Sequence, residues 1–166
     1  MPSLSDRFQQ RMAERAERGD LGARAAMERY GWNTREVAQR FGVSERTARR
    51  WRQQDRIPER RREAFQREQR RERQARQRAR MERRGLASMS AQGEYMVSRS
   101  RYRTRPQYPV RTLPGNKISA ADMRAYFEAL DRGAQDEADQ ILNAALGGGY
   151  QAPTSFTDAD SVDFTI

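Results

Sequence analysis

Two stretches of this sequence place charged or reactive side chains at spacings that could do chemistry. In the first, Thr34 to Gln53 (TREVAQRFGVSERTARRWRQ), the residues Glu45, Arg46, Thr47, Arg49 and Arg50 fall on one open helix face, opposite Ala48 and Trp51. Guanidinium groups on such a face can take guanine edges and phosphates, which is the chemistry of reading DNA in its major groove. In the second, Val97 to Thr112, the hydroxyls of Ser98, Ser100, Tyr102, Thr104 and Thr112 are interleaved with Arg99, Arg101, Arg103, Arg105 and Arg111. A hydroxyl flanked by two cations can meet a triphosphate. A basic edge strand that merely touches phosphates fits the same residues.

Most other chemistry is excluded by composition. The chain has no cysteine and no histidine, which removes disulfides, a thiol nucleophile, a Cys/His zinc site and a Ser-His-Asp set. Gly147–Gly149 is not followed by Lys-Ser/Thr and so is no phosphate loop. Asp158, Asp160 and Asp163 give an acidic tail, but no carboxylate from a second strand completes a metal set. A solvated or dimer-facing acidic edge is the expectation there. No cofactor, no metal and no independent enzymatic activity are expected.

The elements that must hold the first stretch read as a helix-turn-helix. Thr34 is the expected N-cap of a helix running to about Phe41, and Gly42 sits where the chain must turn sharply. Ser44 then caps a recognition helix. Val37, Ala38, Phe41, Val43, Ala48 and Trp51 are placed where two crossing helices bury them. An ordinary helical hairpin with a solvated basic face is the competing reading. Before this motif, Leu4, Phe8, Met12 and Ala16 form one narrow stripe on a helix from Ser3 to Arg18. The stripe packs either on the next helix or on a second copy of the chain. Leu21 to Tyr30 reads as a support helix with Leu21, Ala25 and Tyr30 inward, and Trp32 joins the core.

Ile57-Pro58 breaks this domain, and Pro58 to Arg84 reads as one long helix with 12 arginines and 5 glutamates. At about 1.5 Å per residue it would reach roughly 40 Å. A helix polar all round is not held by core burial, so it is either a solvated linker or a phosphate-binding element. Arg60, Arg67, Arg70, Arg71, Arg73 and Arg78 are the candidate phosphate contacts, beside Ser44, Arg46, Thr47, Arg49 and Arg50 on the recognition helix. Residues 1–90 hold 25 basic and 13 acidic side chains, while residues 91–166 hold 8 and 10, so a polyanion partner is expected for the first half alone.

The expected fold class is mainly α. Residues 1–57 form a three- or four-helix helix-turn-helix domain, 58–85 the long basic helix, 86–94 a linker, and 95–166 a small α+β domain ordered β-α-α-β. In that last part Tyr95 to Thr112 is extended, Ser119 caps a helix, Ala134 to Leu146 is a second helix, and Ser155 to Ile166 is a closing strand. Its apolar supply is thin, which argues for burial in a homodimer. No apolar run approaches a membrane span and MPSLSDRFQQRM has no signal core, so a cytoplasmic, nucleoid location is expected.

The segments AQRFGVSERTARRW, the Arg/Gln/Ala-rich helix, PVRTLPG and FTDADSVDF together resemble the terminal proteins of linear Streptomyces chromosomes and plasmids. The resemblance implies a protein of linear replicon ends, covalently attached to DNA 5′ ends and serving as primer for terminal synthesis. It implies duplex or folded single-stranded DNA ends, a DNA polymerase and a telomere-associated protein as partners. The primer hydroxyl would be Thr104, with Tyr102 as its rival. The alternative is a dimeric helix-turn-helix regulator or plasmid-maintenance protein without covalent attachment. A nucleoid protein that uses the Arg-rich helix without sequence choice is the third class.

Overall fold

A computed structural model of the protein describes residues 2–97, 100–103, 117–147 and 154–166. The chain forms two compact units, Ala13–Arg76 and Met1–Met12 with Gln77–Ile166. Their boundaries fall inside α1 (Leu4–Glu17) and α5 (Glu59–Arg84) rather than at residue 57 and the segment 86–94: α5 gives Phe65 to one core and Met81 to the other, and α1 gives Leu4, Phe8 and Met12 to the second.

The Ala13–Arg76 unit holds α2 (Ala23–Tyr30), α3 (Thr34–Phe41) and α4 (Glu45–Gln54). The inward positions of α2 are Ala23, Ala26, Met27 and Tyr30, the spacing that one helix face requires. Leu21 and Ala25, the expected core positions, are exposed instead. Asn33 caps α3, not Thr34: its side chain accepts the Glu36 N–H while the Glu36 carboxylate accepts the Asn33 N–H, a closed capping box. The turn into α4 goes through Gly42 at φ 60°, a left-handed conformation that an L side chain would resist. Val37, Ala38, Phe41, Ala48 and Trp51 are buried around it as expected, and Val43 is half-buried against them.

The long basic helix has reasons of its own to be ordered, contrary to the all-polar reading. Phe65 is buried against Trp32 and Phe41, with ring centroids 5.8 and 5.2 Å apart. Gln69 is fully buried; its amide accepts the Leu21 N–H and donates to the Leu21 carbonyl, both at 2.9 Å. One turn on, Arg73 donates to the carbonyls of Ala16 and Gly19, to the Tyr30 hydroxyl and to Asp20. Arg76 closes the series on the carbonyls of Arg29 and Tyr30. One aromatic and three long polar side chains thus replace the apolar stripe.

The second unit packs α6 (Ala120–Asp131) and α7 (Gln135–Gly147) against a three-stranded antiparallel sheet ordered β2-β1-β3. The strands are β1 (Ser88–Val97), β2 (Ser100–Arg103) and β3 (Thr154–Thr165). The mainly helical class with a small α+β part therefore holds, with one strand more than β-α-α-β. The segment 86–94, expected as a linker, is most of the central strand. Met89, Ala91 and Gly93 alternate inward there, opposite Phe164, Val162 and Ala159 of β3. Two of those three inward residues are small, so the alternation carries little hydrophobic signal.

The thin core of this unit is completed by α1. Leu4, Phe8 and Met12 of α1 are buried with Met123, Tyr126, Leu142 and Phe164. Phe8 meets Tyr126 edge to face at 5.4 Å and Phe164 at 4.8 Å. The buried Ser5 hydroxyl pairs with the Tyr126 hydroxyl at 3.1 Å, and the Ser5 N–H donates to Asp139 at 2.8 Å. Burial pushes the Tyr126 phenol well above its ordinary pKa, which keeps it a neutral partner. The outer strand β3 is also covered. The Ala159 N–H donates to the Pro2 carbonyl, Arg7 Nε donates to the Ala159 carbonyl, and the Phe156 N–H donates to Asn143 Oδ1. Both backbone groups of Ala159 and the N–H of Phe156 are thereby taken within the chain. The shortage that argued for a dimer is met within the chain.

Phe8→Ala is expected to cost about 3–5 kcal/mol in denaturant unfolding of the full chain, the range for removing a buried aromatic. An unchanged midpoint would show that α1 does not belong to this core. Gln69→Leu fits the space but leaves both Leu21 backbone groups unpaired, at about 1–3 kcal/mol each. Gln69→Glu should recover only the acceptor half, and equal stability of the three proteins would rule out the paired amide.

Candidate nucleic-acid interface

The local sequence fixes α4 from both ends. Ser44 Oγ accepts the Thr47 N–H at 3.1 Å and pairs with Thr47 Oγ1 at 3.0 Å. This commits the Ser44 hydroxyl to capping and turns Thr47 toward the helix start, where it is half-buried rather than on the open face. Asp55 ends the helix in a left-handed conformation. Between them Ala48 and Trp51 face the core, so helical periodicity of about 100° per residue sends Arg46, Arg49 and Arg50 the opposite way. All three are exposed, and none has an ion-pair partner among the described residues. Gln53 continues the same face and is exposed. It was missed as a site residue although the same periodicity places it, and its amide suits the paired edge of adenine.

The arginines of α5 are in a different state. Arg67 pairs with Glu63 at 2.9 Å and Arg71 with Glu68 at 2.8 Å, both on the exposed surface. Arg70 and Arg73 reach Asp20 at 3.7 and 2.6 Å. Arg78 forms a bidentate pair with Asp131 and a further bond to Glu82. The Asp131 bond raises the Arg78 pKa above its already high value and lowers that of Asp131, as expected for a tight pair. Of the six candidate phosphate contacts on this helix, Arg60 alone is exposed without a partner among the described residues. The expectation of a continuous phosphate-binding helix counted charge and missed the acceptors that Glu63, Glu68, Asp20 and the loop carbonyls provide.

On α4 and just beyond it, Arg46, Arg49, Arg50, Arg52, Arg56 and Arg60 are exposed without an ion-pair partner among the described residues, as are Arg18, Arg29, Arg35 and Arg84 elsewhere. Elsewhere, Thr104 lies outside the described residues. Of Tyr102 only the backbone position is described, on β2 and paired with Tyr95. The hydroxyl and guanidinium groups of 98–112 called on for that chemistry lie outside the described side chains. Among the described residues no group of carboxylates could hold a metal ion, and no helix is long and apolar enough to cross a membrane.

No curated protein and no solved structure matches the chain. Nothing in these comparisons indicates a Streptomyces terminal protein. One family profile does match: residues 10–56 fit the Homeodomain-like domain, a span that takes in α2, the turn at Gly42 and all of α4. With the geometry of the turn and the free cations on α4, the match makes this part of the chain a helix-turn-helix DNA-binding domain.

Proposed function

We propose that the chain reads duplex DNA by laying α4 in the major groove, with Arg46, Arg49, Arg50 and Gln53 toward the base edges and phosphates. The observation that carries this reading is the partition of guanidinium groups. Those of α4 are exposed with no ion-pair partner among the described residues, and those of α5 are largely engaged within the fold. Arg60 adds a phosphate contact. Arg67 and Arg71 can exchange their glutamates for phosphates with little loss, because exposed pairs of this kind are worth about 1 kcal/mol or less. Arg73 and Arg78 belong to the fold.

The division of labour has a direct test. Arg46→Ala and Arg50→Ala should each cost about 1–3 kcal/mol at a site selected from random duplexes, and should relax sequence choice. Arg60→Gln should weaken all sequences alike and flatten the salt slope by about 0.9. Arg73→Gln should lower the melting temperature and leave the salt slope of the folded protein in place. Identical salt titrations for the Arg46 and Arg73 variants would remove the assignment.

Once the chain is on DNA, two roles that differ in chemistry are open to it. A regulator or plasmid-maintenance protein needs only α4 and a second copy on a half-site one helical turn away. The terminal-protein reading rests on the sequence resemblance. It adds a hydroxyl primer at Thr104, or at Tyr102, inside a basic stretch, with Arg103 and Arg105 flanking Thr104. A DNA polymerase would supply the metal ions and the base, and a telomere-associated protein would be a further partner. Labelled nucleotide with a replication extract, followed by peptide mapping, separates the two. Label on Thr104 or Tyr102 supports priming, and label outside 97–112 removes both hydroxyls from consideration. No label where a known terminal protein is labelled leaves the regulator.

A further inference from the structure

The recognition helix ends on a residue that should not be comfortable there. Asp55, the C-cap of α4, has φ 46° and ψ 38°, and it is the one non-glycine residue with positive φ among those described. The corresponding positions after α2 and α3 are Gly31 and Gly42, which accept this backbone without resistance. A carboxylate also sits badly at the negative end of a helix. The start of α2 shows the complementary anomaly. Its N-cap is Gly22, which offers no side-chain acceptor to the first turn.

The two anomalies answer each other. Asp55 Oδ1 accepts the Arg24 N–H at 2.8 Å, so the side chain that ends α4 caps α2, at the positive end of that helix. Gly22 makes the approach possible, since a Cβ there would lie 2.6 Å from Oδ1 and 2.9 Å from Oδ2. We infer that Asp55 is a positioning residue for DNA recognition. It touches no DNA and clamps the C-terminal end of α4 to the N-terminus of α2, so that the tilt of α4 is fixed at that end as Ser44 fixes its start. Strain held at one end of a reading element, and balanced by a bond to its support, is the signature of a functional constraint. The inference rests on the DNA reading of α4.

The test begins with the full chain and a pool of random duplexes, from which the wild type enriches a site. Affinity for that site and for a scrambled duplex is then measured for three variants beside melting curves. Asp55→Gly suits the left-handed backbone and keeps the helix end, but has no acceptor. It should melt near the wild type and lose about tenfold in the ratio of specific to non-specific binding, the size of one weakened base contact. Asp55→Asn tolerates the backbone and keeps an oxygen, and should restore the ratio. Gly22→Ala should lower it as Asp55→Gly does and add little in the Asp55→Gly background, because both changes break one bond. A wild-type ratio in Asp55→Gly overturns the inference alone. Equal losses in Asp55→Asn and Asp55→Gly also overturn it, by making charge rather than the bond to α2 the active feature. Failure of the wild type to enrich any site overturns the DNA reading and the inference together.

Discussion

A guanidinium group carries five N–H donors and cannot shed its charge, so each arginine must find acceptors or stay in water. In a chain whose 33 basic residues include a single lysine, that constraint shapes the structure alongside apolar burial. On α5 it is met by loop carbonyls, by Asp20 and by glutamates one turn away. The loop between α1 and α2 keeps its shape because Arg73 and Gln69 take up its polar groups. On α4 no acceptor is offered among the described residues, and the charge stays in water. The same chemical group therefore builds the fold in one place and an exposed cationic face in another, and local acceptor supply decides which.

The second unit is governed by a different limit. Its sheet and two helices offer too few large apolar residues to close a core, and Leu4, Phe8 and Met12 supply the missing ones. The buried Ser5–Tyr126 pair and the bond from Ser5 to Asp139 orient that insertion. Polar groups of this kind stabilise little when satisfied and cost much when left open, so they select one docking register over its neighbours. Arg7 and Pro2 then finish the outer strand.

The helix-turn-helix was legible in the sequence because its signals are local. Ser44, Gly42 and the spacing of Val37, Ala38, Phe41, Ala48 and Trp51 each act within a few residues, and the structure places them as read. The exposed face of α4 came from the same spacing. Asn33 was overlooked as a cap because Thr34 is also a capping type, and the choice is made by the geometry with Glu36. What could not be read was long-range. The stripe on α1 was visible, but its partner lies more than a hundred residues away at Tyr126, Leu142 and Phe164. The strand through 88–94 was invisible for the same reason: Ala91 and Gly93 become inward positions only once β3 lies beside them. The arginines of α5 were countable, yet their acceptors sit on a loop whose path the sequence does not declare.

The insertion of α1 also sets an order of events. Arg7 and Ala159, which share a hydrogen bond, are 152 residues apart, whereas the Ala13–Arg76 unit is a continuous piece of chain. On a ribosome the continuous piece can close as soon as it leaves the tunnel. Leu4 and Phe8 are made well before β3 and must wait for it, because closing so long a loop is slow and cannot begin before its far end exists. During that interval the apolar stripe on α1 is open to chaperones, to proteases and to the equivalent groove of a neighbouring nascent chain. The helix-turn-helix is finished early, and the second unit is completed only when α1 meets β3.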